Sequence, residues 1–400
     1  MIGKIKYKIL YFFCRGDSLN MEKVIIFHNI ISPYKILLFN ELSEVSGGKI
    51  HVVFFAETAG NRDWEIDYSQ IKFSYTLLNK GILENISNIK LVKQVAIYLS
   101  KNRNCISGVL VGEYIKPAYW YALIWGWMHK NKNGCILESQ QQDHKRIWIK
   151  EAVKKMFFLL CDYCLAAGSK HKEYAISLGM NPENIGVING VGGVNHKLYD
   201  KSIECLKNHI NMRDYLANEC NLPADKQYFI YVGRFSPEKN LFTLLEAYAA
   251  LNERCPQWAL LLVGGGKQLE ELKSFIKKRN IQNVYFPGFI QQDRLPYYYM
   301  QGSVFVLPSF SETWGLVVDE AIYLGKPVIV SRNCGCVPDI VKNGINGWIV
   351  DPSSSHELYT AMKEAAENPK LLAEYGKNSK KISNAYSPAN SAKKIWDMMK

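Results

Sequence analysis

Hydrophobic and polar positions repeat along the chain as short apolar runs followed by longer amphipathic stretches. Several runs are continuous rather than alternating, which is typical of parallel strands buried on both faces. In the first half they predict strands at Val24–Phe27, Ile50–Phe55, Val109–Gly112, Cys135–Glu138, Tyr163–Ala166 and Ile185–Ile188. The stretches between them predict helices at Tyr34–Glu44, Val92–Lys101, Ala118–Met128, His144–Leu159 and Lys170–Leu178. The same alternation repeats from Tyr228 to Val350.

Two such series of strands and helices predict two doubly wound α/β domains with right-handed crossovers. The alternation breaks between Val191 and Asn221, where Gly192-Gly193 precedes a charged stretch. We therefore predict a first domain over residues 21–192, a linker over 193–222 and a second domain over 223–375. Residues 376–400 are predicted to end the chain as a helix, and residues 1–20 to form an N-terminal tail.

Composition is that of an ordinary globular protein, and 400 residues allow two domains with proper cores. The most apolar stretch, Ala118–Met128, is about eleven residues, well below the roughly twenty that span a bilayer. Cysteine pairs at Cys161/Cys164 and Cys334/Cys336 have zinc-like spacing, but we interpret them as buried structural thiols. A scattered set of unpaired thiols predicts a reducing, cytoplasmic location.

Positive charge is concentrated in the first half, where 24 Lys and Arg face 16 Asp and Glu in residues 1–190, a balance of +8 out of +12. Such a surface suits nucleic acid or an anionic membrane. No nucleic-acid module is recognisable, so we expect no nucleic-acid partner and a membrane surface instead. Within Asp143–Leu160, Arg146, Lys150 and Lys154 share a helix face beside aromatics, the pattern of an interfacial helix. A solvated face with an inward apolar side is the alternative.

Two glutamates separated by seven residues form the most informative motif of the chain. Glu312 follows the predicted strand Val304–Leu307, and Glu320 lies inside a helix that begins near Gly315. First-turn amides have no helical partner and face the positive end of the helix dipole, so they suit a diphosphate. The carboxylates beside them suit sugar hydroxyls, which donate hydrogen bonds. The residues that supply these amides include Thr313, Trp314, Gly315 and Leu316.

Two cations and two glycine turns are expected to converge on the same place. Gly233 ends one predicted strand and is followed by Arg234 and Lys239, while Gly264–Gly266, with Gly265 at its centre, ends another. Ligands of open α/β sheets bind at these strand ends, where a guanidinium suits phosphate oxygens. The triple glycine is not GxGxxG, which argues against a dinucleotide oxidoreductase.

These motifs resemble those of the retaining glycosyltransferases of family 4, which have the GT-B fold and a Glu-seven-Glu signature. The resemblance is strongest from Tyr228 to Pro352. The segments that carry it, in order, are Gly233-Arg234 with Lys239, Leu262–Gly266, Phe286–Ile290, Glu312–Glu320, Gly325–Ile329 and Asn343–Gly347. Six such pieces in the right order are far more specific than any one alone.

The resemblance implies a role for each motif. Glu320 would bind the ribose of a nucleotide-sugar donor, Glu312 its sugar, and Arg234 and Lys239 its phosphates. The segment with Phe289 would border the base. The last helix would cross back to the first domain. No Asp-x-Asp metal ligand is present in the chain, and we expect neither a cofactor nor a required metal.

The first domain is expected to bind the acceptor. Glu138 ends a predicted strand there and begins a Glu-Ser…Asp-x-x-Arg pattern found in a subset of that family. Many members carry a histidine at this strand end, whereas here His144 comes six residues later. We expect Glu138 to orient or deprotonate the acceptor and Asp143 to pair with Arg146. Helix capping in a solvated turn is the alternative.

The activity implied is transfer of a sugar from a nucleotide diphosphate to a hydroxyl of a glycan or lipid-linked glycan, with retained configuration, in bacterial surface polysaccharide assembly. The expected location is cytoplasmic, with peripheral contact to the inner face of the membrane. An inactive scaffold subunit of the same fold and a nucleotide-sugar epimerase are the alternatives.

Overall fold

The protein contains two β-sheets, each built of parallel strands and covered by helices on both faces. The computed structural model describes residues 22–60, 66–141, 147–207 and 212–400. The first sheet has the strand order β3-β2-β1-β4-β5-β6-β7. Its strands are β1 (Lys23–Ile30), β2 (Ile50–Ala56), β3 (Tyr75–Leu77), β4 (Ile106–Val111), β5 (Lys132–Leu137), β6 (Tyr163–Ala166) and β7 (Ile185–Val187). Its helices are α1 (Pro33–Val45), α2 (Asn88–Asn102), α3 (Pro117–Met128), α4 (Trp148–Phe158) and α5 (Ser169–Ser177).

The second sheet has the order β10-β9-β8-β11-β12-β13. Its strands are β8 (Gln227–Val232), β9 (Trp258–Val263), β10 (Val284–Gly288), β11 (Val304–Leu307), β12 (Val328–Ser331) and β13 (Gly347–Val350). Helices α6 (His196–Lys207) and α7 (Met212–Cys220) precede it. The remaining helices are α8 (Leu241–Asn252), α9 (Leu269–Arg279), α10 (Leu295–Gln301), α11 (Leu316–Tyr323), α12 (Ser355–Glu367), α13 (Pro369–Ser383) and α14 (Pro388–Met399).

Continuous apolar strands place a core on each face of each sheet, because parallel strands are covered on both sides. In the first domain, alternate residues of β1 divide between the two cores: Ile25 and Phe27 face one, and Val24 and Ile26 the other. The second core also takes up Ile395 of α14. This last helix packs on α1, so the expected return of the chain to the first domain is confirmed.

Most predicted elements of the first half form where the apolar pattern placed them. The exception is β3, which runs along the edge of the sheet beside β2 and was not predicted. Residues 144–146 of the predicted helix 144–159, and with them the Asp143–Arg146 pair, lie outside the described residues, as do residues 1–20. The segment 193–222, expected as a linker, contains α6 and α7, whose Tyr199 and Cys220 join the second domain's core.

The expectations about membrane spans and about the cysteines can also be compared with the structure. Within the part of the chain that the structure describes, no helix has the length and apolarity needed to cross a membrane. Cys164, Cys334 and Cys336 are buried, and Cys161 is half-buried, as expected of thiols that pack in the interior.

Candidate functional site

Glycines bring two strand ends of the second sheet into direct backbone contact. Gly233 follows β8 with φ 154°, and Gly264 follows β9 with φ 135°. A Cβ on Gly264 would lie 1.9 Å from the carbonyl oxygen of Gly233, so only glycine fits there. A Cβ on Gly265 would meet nothing within 4 Å. At Gly264 the turn is therefore packed against Gly233, whereas at Gly265 it faces open space, where a ligand could approach the backbone.

The cations predicted to serve phosphates lie at the end of β8, each beside a carboxylate. Arg234 is about half exposed, and its guanidinium is 3.3 Å from the carboxylate of Glu238. Lys239 is largely buried and forms an ion pair with Glu312. Glu312 and Lys239, predicted from separate motifs 73 residues apart, are thus brought together. An arriving diphosphate would find a fixed ammonium group and an exposed, adjustable guanidinium.

The turn before α11 leaves backbone amides free. Gly315 caps the helix with φ 104°. The carbonyl of Glu312 accepts from the amide of Gly335 at 2.9 Å, and that of Trp314 from the amide of Cys336 at 3.0 Å. Because these carbonyls are turned away, the amides of Leu316 and Val317 make no hydrogen bond to any described residue. The free first-turn amides that the sequence predicted are therefore present, and their use as an anion site stays a prediction.

Glu320 is fully buried, which the sequence did not predict for a ribose ligand. Its carboxylate accepts hydrogen bonds from Tyr299 at 2.7 Å and from Tyr34 of the first domain at 3.1 Å. Burial raises the pKa of Glu320 to about 7, against the effect of the tyrosine hydroxyls. Contact with a ribose would require at least the Tyr34 bond to open, so that role stays a prediction.

Asp319, adjacent to Glu320, is a second buried carboxyl that sequence reasoning missed. Its Oδ2 accepts from the indole Nε1 of Trp314 at 2.6 Å, while its Oδ1 has no partner among the described residues. Burial raises its pKa to about 8. A protonated Asp319 that fixes Trp314 is the arrangement these contacts support.

The side chain of Trp314, from the second domain, packs against glycines of the first domain. A Cβ on Gly168 would lie 2.5 Å from the indole ring, and one on Gly190 would lie 3.3 Å from it. His171 of α5 donates from Nε2 towards the carbonyl oxygens of Thr313 at 2.8 Å and Glu138 at 3.1 Å. His171 therefore lies at the interface between the two domains. The loop that carries the free amides is thereby held against the first domain.

Gln140, from the loop after β5, adds a second bridge. Its side-chain amide donates to the carbonyl oxygens of Glu312 at 3.0 Å and Asn333 at 2.7 Å. The loop that the sequence identified by Glu138 therefore touches the Glu312 loop directly. The first-domain and second-domain motifs belong to one site.

A cavity of about 310 Å³ lies between the two domains. Its walls come from the ends of β4 and β5 and from the loop before α11: Gly112, Glu113, Tyr114, Ile115, Ile136, Leu137, Glu138, Ser139, Ser311 and Thr313. Glu138 is partly exposed there, and one of its carboxylate oxygens is 2.5 Å from the Nζ of Lys35. The predicted acceptor residue thus faces the cavity next to the second-domain motif.

Glu113 is the cavity residue that sequence reasoning missed. It follows β4 as Glu138 follows the neighbouring β5, so its position at an apolar strand's end was the available signal. Burial raises the pKa of Glu113, and the negative charge of Glu138 raises it further, while Asn29 and Lys116 act in the opposite direction. Glu113, with its raised pKa, and Glu138 therefore both line the first-domain side of the cavity.

Phe289 follows β10 and is 51% exposed. The amide of Gly264 donates to the carbonyl of Gly288 at 2.9 Å, so the triple-glycine turn and the Phe289 segment are tied together. An exposed aromatic ring beside the open Gly265 fits the predicted border of a nucleotide base, a role that stays a prediction.

The second domain is similar in sequence to a known protein family. Residues 213–382 match the family glycosyl transferases group 1. An uncharacterized glycosyltransferase of Methanocaldococcus jannaschii is 28% identical over 175 residues, which are 44% of this chain and 47% of that protein. The sulfoquinovosyl transferase of Arabidopsis thaliana is 30% identical over 178 residues, 44% of this chain and 33% of that protein. The chain spans half or less of the length of these curated relatives.

The whole fold also has solved counterparts. HepE of Anabaena, crystallised with UDP, superimposes with a TM-score of 0.73 at 18% identity, over 94% of this chain and 99% of that one. With its two parallel-sheet domains and returning last helix, the protein has the GT-B fold predicted from the sequence.

Proposed function

We propose that the protein is a retaining glycosyltransferase that moves a sugar from a nucleotide diphosphate to an acceptor hydroxyl. The observation that carries this proposal is the turn before α11, where Glu312 and Glu320 flank free amides and Lys239 stands against Glu312. Neutral amides, an ammonium group and carboxylates together match a ligand that combines phosphates with hydroxyls. The group 1 match over the same residues supports this interpretation.

In this proposal the donor lies across the strand ends of the second domain. Its diphosphate rests on the amides before α11 and is neutralised by Arg234 and Lys239, so no metal is required for that purpose. The sugar reaches Glu312, and binding would redistribute Lys239 between that carboxylate and the phosphate. Phe289 borders the base, and Glu320 meets the ribose once Tyr34 withdraws.

The acceptor enters the cavity from the first-domain side. Its hydroxyl oxygen forms the new bond to the anomeric carbon as the bond from that carbon to the phosphate oxygen breaks. The hydroxyl proton passes to the departing phosphate, on the same face of the sugar, so configuration is retained. Glu138 and Glu113 orient the hydroxyl, and His171 and Gln140 hold the two halves of the site together.

A glycan or lipid-linked glycan is the acceptor that we propose, as in bacterial surface polysaccharide assembly. Supporting this choice, a cavity lined by carboxylates, Tyr114 and Ser139 offers several hydrogen-bond partners to sugar hydroxyls.

Thermal unfolding with UDP, GDP, ADP, CMP and dTDP, each in EDTA, tests the donor site. A bound ligand raises Tm by mass action, so one nucleoside diphosphate is expected to stabilise wild type but not Arg234→Ala or Lys239→Met. Arg279→Ala, an exposed arginine at the end of α9, is the matched control and should respond like wild type. If no nucleotide stabilises wild type, with or without added Mg²⁺, the donor site is refuted. A shift that needs Mg²⁺ refutes only metal independence.

A further inference from the structure

Exposed apolar side chains are concentrated on one part of the first domain. Among the described residues, nine of the eighteen large exposed hydrophobic side chains fall between positions 124 and 159. They lie on and beside α3 and α4: Ile124, Trp127, Met128, Ile147, Trp148, Ile149, Val153, Met156 and Leu159. Trp148 is 79% and Leu159 82% exposed. Trp127 and Leu159 line one groove, so the two helices share this surface, which we term the apolar face.

Helical geometry shows why α4 cannot bury these residues in its own domain. At about 100° per residue, its exposed apolar positions, with Ala152, occupy an arc of roughly 140°. The opposite arc contains Phe157 and Phe158, which are buried in the first-domain core. Because α4 is apolar on both faces and packs on its own domain through only one of them, the other face is free to contact a partner. Leaving large apolar side chains in water costs free energy that burial would recover, and a concentration of them on a surface marks an interaction site.

Positive charge borders the apolar arc on both sides. On the same helical projection, Lys155 lies about 20° beyond one edge of the arc and Lys150 about 60° beyond the other, and both are exposed. The one acid of α4, Glu151, points inward, where it pairs with Lys154 at 2.9 Å. A second copy docked through this face would bring like charges together. An apolar stripe bordered by lysines, with its acid turned away, complements an anionic lipid surface.

The same helix contacts the wall of the cavity. The Nζ of Lys154 lies 5.3 Å from the ring centre of Tyr114, which lines the cavity. Phe157 packs edge-on against Tyr114, with ring centres 6.1 Å apart. A lipid surface bound to the exposed face of α4 would therefore lie close to the cavity in which we place the acceptor.

We propose that the apolar face of α3 and α4 docks on an anionic membrane, with Trp148 and Ile149 in the lipid interface and Lys150 and Lys155 at the headgroups. Docking itself does not depend on the proposed sugar transfer. Its link to that function is that an acceptor held in the membrane would reach the cavity beside Tyr114.

Vesicle co-sedimentation tests the docking. Wild type is expected to pellet with phosphatidylcholine vesicles containing phosphatidylglycerol, less in about 0.5 M salt because salt screens charges, and weakly with phosphatidylcholine alone. Trp148→Ser with Ile149→Ser, and separately Lys150→Glu with Lys155→Glu, should each weaken binding about ten-fold or more. Lys277→Glu with Lys278→Glu, the charge-matched control in the second domain, and Ile345→Ser, an exposed apolar control, should bind like wild type.

Two outcomes would overturn the proposal. One is equal pelleting of wild type and both α4 variants. The other is a concentration-dependent dimer in sedimentation velocity that Trp148→Ser with Ile149→Ser dissolves, without vesicle binding by wild type. Circular dichroism and nucleotide-induced Tm shifts of each variant show that it is folded with an intact donor site. They also separate a failed docking proposal from a failed donor site.

Discussion

The two sides of the candidate site differ in the groups that they present: the second-domain side presents mainly backbone and the first-domain side mainly side chains. The second-domain side is mainly backbone: glycine turns in contact, free amides before α11, and Lys239 fixed by Glu312. The first-domain side is mainly side chain: Glu113, Glu138 and the lysine that pairs with Glu138. Backbone groups offer one constant chemistry, suited to the diphosphate that all nucleoside-diphosphate sugars share. Side chains can vary from protein to protein, which suits a variable acceptor.

The largest effect is expected at Gly264, since its Cβ would overlap the carbonyl oxygen of Gly233. Gly264→Ala should lower the free energy of unfolding by about 3 kcal/mol or more, because it combines a backbone clash with a strained φ. Urea denaturation measures it. Gly265→Ala is the matched control: its Cβ meets open space, so stability should change by less than about 1 kcal/mol while nucleotide affinity falls. Equal stability of the two variants would contradict the close approach of the turns.

Substitutions at the cavity should separate acceptor from donor. Glu113→Gln and Glu138→Gln each remove one carboxylate that we place at the acceptor hydroxyl. Each is expected to lower kcat/KM for transfer about ten-fold or more while leaving the nucleotide Kd unchanged. Steady-state kinetics with the accepted glycan, together with nucleotide titration, provide both numbers. A parallel loss of nucleotide affinity would show that these residues do not belong to the acceptor side alone.

Buried Asp319 and Glu320 predict a smaller effect, on the pH dependence of stability. Their pKa values are raised to about 8 and about 7. A carboxyl with a raised folded-state pKa stabilises the fold while protonated, and this contribution is lost as pH rises through the folded pKa. From pH 5 to pH 8, wild type should therefore lose at least about 1 kcal/mol more than Asp319→Asn, which keeps the Trp314 bond. Parallel curves in urea denaturation would show that Asp319 is not buried as a neutral acid.

The elements that sequence patterns predicted are those with strong local signals. Strand Tyr163–Ala166 formed at its predicted residues because a continuous apolar run is enough to specify a buried parallel strand. Strand β3, with three half-buried residues at the sheet edge, has no such run. The glycine turns were visible because few other residues tolerate that backbone. The Glu312–Glu320 motif was visible because its spacing resembles a family signature.

What remained hidden depends on contacts between distant parts of the chain. Tyr34 and Glu320 are 286 positions apart, and their hydrogen bond arises only when the two domains meet. The burial of Asp319 follows from the position of Trp314 against Gly168 and Gly190. No local pattern encodes either arrangement. The same holds for the pairing of Glu138 with Lys35 in the cavity.

The division into a donor side and an acceptor side is tested most directly by calorimetric titration of the nucleoside diphosphate that stabilises wild type. Wild type, Lys239→Met and Glu138→Gln would be compared under one condition. We expect Lys239→Met to lose most of the affinity and Glu138→Gln to keep it, because only the first removes a group from the second-domain site. Equal losses in both variants, or none in Lys239→Met, would contradict the division.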